Sequence, residues 1–86
     1  MAKSVKIVTT QWCPYCIRAK EVLKNYGVSF TEIDVTHNQE LRTQYYQLSK
    51  MRTVPIIFVE DELIGGCADL LEWEDSGKLK SILGIN

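Results

Sequence analysis

Two cysteines flank a proline and a tyrosine in Trp12-Cys13-Pro14-Tyr15-Cys16, where an apolar run gives way to an amphipathic one. Thiols at this spacing lie one helical turn apart, and the chemistry they offer is thiol–disulfide exchange. A helix starting at Pro14 presents unpaired backbone N–H groups and a partial positive charge, and both favour a thiolate over a thiol. A cysteine held there can have its pKa lowered from about 8.5 to roughly 3.5–7.5, which makes it a nucleophile near neutral pH. Cys13 precedes the helix and is nearest those N–H groups, so it is the expected nucleophile. Cys16, one turn inside and more buried, suits the resolving role. Taken alone it would read as a small buried hydrophobe, but its spacing from Cys13 argues otherwise.

Metal binding is the other standard reading of this spacing. A structural zinc site normally takes four ligands, and only Cys67 and the single His37 could join Cys13 and Cys16. Pro14 and Tyr15 are also rigid and bulky for a zinc knuckle. Redox chemistry is the better reading.

The thiols need elements to position them. Val5 to Thr9 is a short β-branched run, read as a buried strand. Pro14 suits the first turn of a helix whose apolar positions are Cys16, Ala19, Val22, Leu23 and Tyr26, with Gly27 as its stop. Ser29 to Val35 reads as a second strand, at an edge because Glu32 and Asp34 punctuate it. Thr36 to Asn38 supplies cap candidates for a helix over Gln39 to Ser49, with a stripe of Leu41, Tyr45 and Leu48. Ile56 to Val59 is apolar throughout, as expected of a central strand covered on both faces. Glu60-Asp61 turns into a fourth strand, Glu62 to Ile64; Gly65-Gly66 then opens a third helix from about Ala68 to Ser76, ended by Gly77. Lys78 to Leu83 reads as a last short helix, and Trp73 on the third as core. The order βαβα then ββα predicts an α/β fold, a four-stranded mixed sheet with helices on both faces.

Eighty-six residues suit one domain with a single core. A formal net charge of -1 and the lack of a basic block argue against a nucleic-acid surface. The sequence shows neither an apolar signal segment nor a membrane-length apolar run, so a cytoplasmic, reducing compartment and no membrane partner are the expectation. Three cysteines, an odd number, argue against a disulfide-stapled secreted scaffold.

Three motifs fall in register with these elements: Cys13-Pro14-Tyr15-Cys16 after the first strand, Thr53-Val54-Pro55 before the third, and Gly65-Gly66-Cys67-Ala68-Asp69 after the fourth. Together they resemble a dithiol glutaredoxin, over essentially the whole chain. The resemblance implies a thioredoxin-like fold and glutathione as electron-donating co-substrate, with no tightly bound cofactor and no metal. It also implies that Val54-Pro55 is cis and faces the thiols, leaving the Val54 N–H and C=O free to pair with an extended substrate.

Gly66, Cys67, Ala68 and Asp69 head a helix, whose N–H groups form an anion site. By the resemblance they hold the γ-glutamyl carboxylate of glutathione, while Asp69 holds its ammonium and Tyr15 lines the groove. Thr53, Val54 and Pro55 are further implied glutathione contacts, and Cys67 is a packed or partly exposed third thiol outside the catalysis. The family's usual lysine three residues before the nucleophile is Thr10 here, its frequent glutamine after the proline is Ile56, and a common polar residue is Ala68. Arg42 matches a family position that can reach the glycyl carboxylate, with Arg52 as the next candidate. Trp12 reads equally as an exposed rim contact for substrate proteins or as packing on the helix, and His37 is expected in solvent. The implied partners are glutathione and disulfide-bonded or glutathionylated proteins, a ribonucleotide reductase being one candidate; the chain is expected to be a monomer. Two rivals are a thioredoxin-type enzyme served by a flavoprotein reductase, against which the Gly-Gly-Cys-x-Asp segment argues, and an iron–sulfur carrier, which Pro14 disfavours.

Overall fold

The computed structural model describes residues 4–84. Its elements run β1 (Val5–Thr9), α1 (Pro14–Asn25), β2 (Phe30–Asp34), α2 (Gln39–Ser49), β3 (Ile56–Val59), β4 (Glu62–Gly65), α3 (Cys67–Ser76) and α4 (Lys78–Leu83). The sheet order is β2-β1-β3-β4. β1 pairs in parallel with β2, Val5 opposite Phe30, and antiparallel with β3, Val5 opposite Val59. β3 pairs antiparallel with β4, with an irregularity between Ile57 and Phe58. This is the expected mixed sheet, with β2 at one edge and β3 inside.

Strand alternation sorts the apolar side chains onto two faces. Val5, Ile7, Ile57 and Val59 point towards α1, α3 and α4, where they pack with Ala19, Leu23, Leu70, Leu79 and Leu83. Val8, Ile56 and Phe58 point the other way, beneath Leu41, Tyr45 and Tyr46 of α2. Fully burying one such branched side chain stabilises the fold by roughly 1.5–3 kcal/mol, and every residue of β3 is buried.

Local chemistry sets the ends of α1. Cys13 is its N-cap and Pro14 the first helical residue, where a missing N–H costs nothing. At the other end Gly27, at φ +69°, donates its N–H to Lys24 while Val28 reaches Leu23. That pair of bonds satisfies the last carbonyls of the helix.

One expectation is corrected. Asn38, the last of the cap candidates, caps α2 by accepting the Leu41 N–H at 3.0 Å. Yet Leu48 is 69% exposed, so it does not complete the inward stripe. At about 100° per residue, α2 is rotated so that Arg42, Tyr45, Tyr46 and Ser49 turn inward, which carries Leu48 past the edge. Ser49 tolerates burial because its hydroxyl donates to the Tyr45 carbonyl at 2.7 Å and accepts the Met51 N–H at 3.1 Å. Trp73 packs against the core from a half-buried position, with the Lys78 ammonium 4.2 Å from its ring centroid.

The edge strand is tied to α1 by polar groups. The Lys20 ammonium lies 2.9 Å from the Glu32 carboxylate, and the same oxygen accepts the hydroxyl of fully buried Thr9 at 2.7 Å. The Thr9 hydroxyl first, then Lys20, hold the Glu32 carboxyl below its ordinary range.

Candidate active site

The end of β1 delivers Cys13 to the mouth of α1, and its sulfur caps the helix by accepting the Cys16 N–H at 3.1 Å. A donor so placed strengthens as the sulfur gains negative charge. The Cys13 thiol in turn donates to the carbonyl of Val54, at 3.7 Å. Val54 is brought there by a cis peptide bond to Pro55, as the resemblance implied. Its carbonyl is not idle in the reduced protein, however: the Cys13 thiol occupies it, where a free acceptor was expected.

Cys16 is almost entirely buried, 1% exposed against 9% for Cys13. Burial, then the hydrogen bond and charge of Cys13, push its thiol up to about 12, while the Thr10 backbone and Lys20 pull the other way. The two thiols thus differ in kind. Cys13 is the less buried of the two, at the helix mouth, and Cys16 is a protonated thiol behind it. All three cysteines are unpaired.

Two clefts meet at Val54. One, of about 350 Å³, is lined by Tyr15, Met51, Thr53, Val54, Pro55, Gly66, Cys67, Ala68 and Asp69. Eight of these nine residues carry the motifs identified in the sequence; Met51 was missed, since nothing local marks it. At its far wall Gly66 donates its N–H to the Asp69 carboxylate at 3.0 Å. The first intrahelical bond of α3 runs from the Leu70 N–H to the Gly66 carbonyl, so the N–H groups of Cys67, Ala68 and Asp69 lie ahead of it. Gly65 makes this wall possible. At φ +126° it adopts a conformation few other residues reach, and a Cβ there would collide with the Asp69 carboxylate.

The second cleft, of about 470 Å³, holds Cys13 itself with Thr10, Trp12, Pro14, Thr36, Arg42, Tyr46, Arg52, Thr53 and Val54. Among the described residues that line it, the two arginines are the ones with charged side chains, which suits an anion. Arg42 donates to the Val35 carbonyl at a long 3.5 Å, and its Nε is buried with no partner among the described residues. A buried donor without an acceptor is costly, and a carboxylate in the cleft would relieve it. Tyr46 and Thr36 were not foreseen, although Tyr46 follows Arg42 by one helical turn.

Cys67 is the first residue of α3, one position earlier than expected, and 5% exposed. Burial raises its thiol above the ordinary range, with Arg18 opposing. Trp12, Tyr15 and Ile17 form an exposed apolar rim, at 87%, 66% and 52% exposure. His37 is exposed, as expected. Among the described residues, no three His, Cys, Asp or Glu side chains gather as a metal site would require.

A family model described as Glutaredoxin matches residues 5–64. The chain is 46% identical over 79 residues to a glutaredoxin of Pseudomonas aeruginosa, an alignment covering 92% of this chain and 94% of that one. It is 41% identical over 80 residues to glutaredoxin 3 of Escherichia coli K12, covering 93% and 96%. The solution structure of a Brucella melitensis glutaredoxin matches with a TM-score of 0.86 at 44% identity, over 95% of this chain and 89% of that one. The crystal structure of a buckwheat glutaredoxin–glutathione complex matches with a TM-score of 0.88 at 26% identity, over 93% and 76%.

Proposed function

The chain belongs to the glutaredoxin family and is accordingly a glutathione-dependent thiol–disulfide oxidoreductase; on that premise we propose how its residues share the work. Cys13 attacks a glutathionyl mixed disulfide. Its sulfur bonds to the glutathione sulfur as the substrate thiolate leaves. A second glutathione then attacks the Cys13 adduct, releasing glutathione disulfide and returning the Cys13 thiolate. With a protein disulfide Cys13 forms the mixed disulfide and Cys16 resolves it, leaving a Cys13–Cys16 bridge that glutathione reduces.

Glutathione lies across Val54 and spans both clefts. Its γ-glutamyl carboxylate meets the first N–H groups of α3, and Asp69 takes the ammonium. Tyr15, Thr53 and Pro55 border the middle of the tripeptide. Its glycyl carboxylate meets Arg42, with Arg52 beside it in the same cleft. Gly66, Cys67 and Ala68 contribute backbone only. The observation that carries this reading is the Cys13 sulfur 3.7 Å from Val54, at the junction of one cleft headed by a helix N-terminus and another holding two arginines. The buckwheat relative solved with glutathione supports the same ligand here. Protein disulfides dock on the rim of Trp12, Tyr15 and Ile17, and the enzyme acts as a cytoplasmic monomer. Glutathione-dependent reduction of a small glutathionyl mixed disulfide tests the reading. Turnover sustained by glutathione is the expected result, and a protein inert to glutathione would overturn it.

A further inference from the structure

In the dithiol route Cys16 must attack as a thiolate, yet it is the more buried and more strongly protonated thiol of the pair. Part of its upward shift comes from Cys13, and that part disappears once Cys13 is tied up in a neutral mixed disulfide. What then acts on Cys16 is burial, opposed by the Thr10 backbone and by Lys20. Lys20 lies four residues after Cys16 on α1, a spacing that puts both on one face of the helix.

The Lys20 side chain is also anchored. Its ammonium is 2.9 Å from Glu32 on β2, and that carboxylate accepts the hydroxyl of Thr9, the fully buried last residue of β1. A flexible lysine is thereby fixed where the strand carrying the active-site turn meets the edge strand. Two further ionisable groups matter here, and Asp34 feels the Lys20 charge as well. Arg18 bears on Cys67, and Asp34 is taken up by the N–H and hydroxyl of Thr36. Glu32, in the edge strand, tempers the ammonium it holds.

We propose that Lys20 is a positioning residue for the resolving step: its ammonium, held by Glu32 and the Thr9 hydroxyl, assists the attack of Cys16 on the Cys13 mixed disulfide and takes no part in the monothiol reaction. In that attack the Cys16 sulfur bonds to the Cys13 sulfur as the bond from Cys13 to the substrate sulfur breaks. The substrate sulfur leaves with the electron pair and takes up a proton in place of the one Cys16 lost, so no further oxidant or base is consumed. The inference rests on the dithiol route proposed above.

Stopped-flow mixing of the reduced protein with an aromatic disulfide separates the two steps, because the first chromophoric thiolate reports attack by Cys13 and the second reports resolution by Cys16. Lys20→Met should slow the second release by about two- to fivefold, the size of one screened charge contact. It should also move the pH profile of that release towards alkali. The first release and glutathione-dependent turnover of a small mixed disulfide should stay at the parent's values, and Lys20→Arg should restore the second release. Parent-like second release in Lys20→Met, equal slowing of both releases, or failure of the arginine variant would overturn the assignment. A parent that gives no second release would remove the dithiol route, and this inference with it, before any Lys20 variant is made.

Discussion

The Cys13 thiol donates to the carbonyl of Val54, 3.7 Å away and 41 residues on in the chain. The reduced enzyme therefore covers the backbone acceptor that an extended substrate would use, and covers it with the reacting group. When Cys13 loses its proton the donor is gone, and the carbonyl becomes available as the nucleophile forms. Activation of the thiol and opening of the backbone acceptor are one event.

Cys13→Ser should abolish both deglutathionylation and protein-disulfide reduction, because no other thiol caps α1. Cys16→Ser should retain deglutathionylation, which needs one thiol, and lose dithiol reduction. Steady-state assays with a glutathionylated substrate and with a protein disulfide measure the two separately. If Cys16→Ser were as inactive as Cys13→Ser on the glutathionylated substrate, the monothiol mechanism would be wrong.

Cys67 is buried and its thiol is raised by that burial, so at neutral pH it should be a poorer nucleophile than an ordinary cysteine. Iodoacetamide should modify Cys13 well before Cys67, as read by peptide mass mapping over time. Cys67→Ser should leave turnover within about twofold and lower stability by about 1–3 kcal/mol, since a hydroxyl replaces a buried thiol. A tenfold loss of activity at unchanged folding would make Cys67 a functional residue.

Arg42→Ala should raise the KM for glutathione with little change in kcat, by at most about 1.5–3 kcal/mol for one charge-assisted contact. Thr10 lines the same cleft, so Thr10→Lys should lower that KM by adding a cation near the glycyl carboxylate. Glutathione kinetics of the two variants decide the matter. Arg42→Ala kinetics equal to the parent's would transfer the role to Arg52.

Glu32 carries a stability signature in pH. Its carboxyl is held below the ordinary value of 4.5 by the Thr9 hydroxyl and Lys20, so the folded state binds its proton less readily than the unfolded chain. The stabilisation is present above that ordinary value and is lost as pH falls through the depressed one. Thermal unfolding of the parent and Glu32→Gln across acid pH should show a parent advantage at neutrality that shrinks below pH 4.5. An advantage independent of pH would show that the contact is not electrostatic.

The local patterns of the chain were sufficient for the elements and the two thiols. Alternation and β-branching mark β1 and β3, proline marks the first turn of α1, and glycine marks its end, because each is a constraint between residues a few positions apart. The cysteine spacing needed no more than one helical turn. The motifs around Thr53 and Gly65 were legible through their resemblance to a family, since proximity to Cys13 depends on chain folding. Register and helix rotation decided the rest. They turned Arg42 and Tyr46 towards Cys13 and left Leu48 outside, brought Met51 against Gly66, and engaged the Val54 carbonyl with the thiol it faces. They also joined Lys20 of α1 to Glu32 of β2 and, through it, to Thr9 of β1. Such contacts join residues from different elements, and their energies depend on how those elements pack, which no local run of sequence encodes.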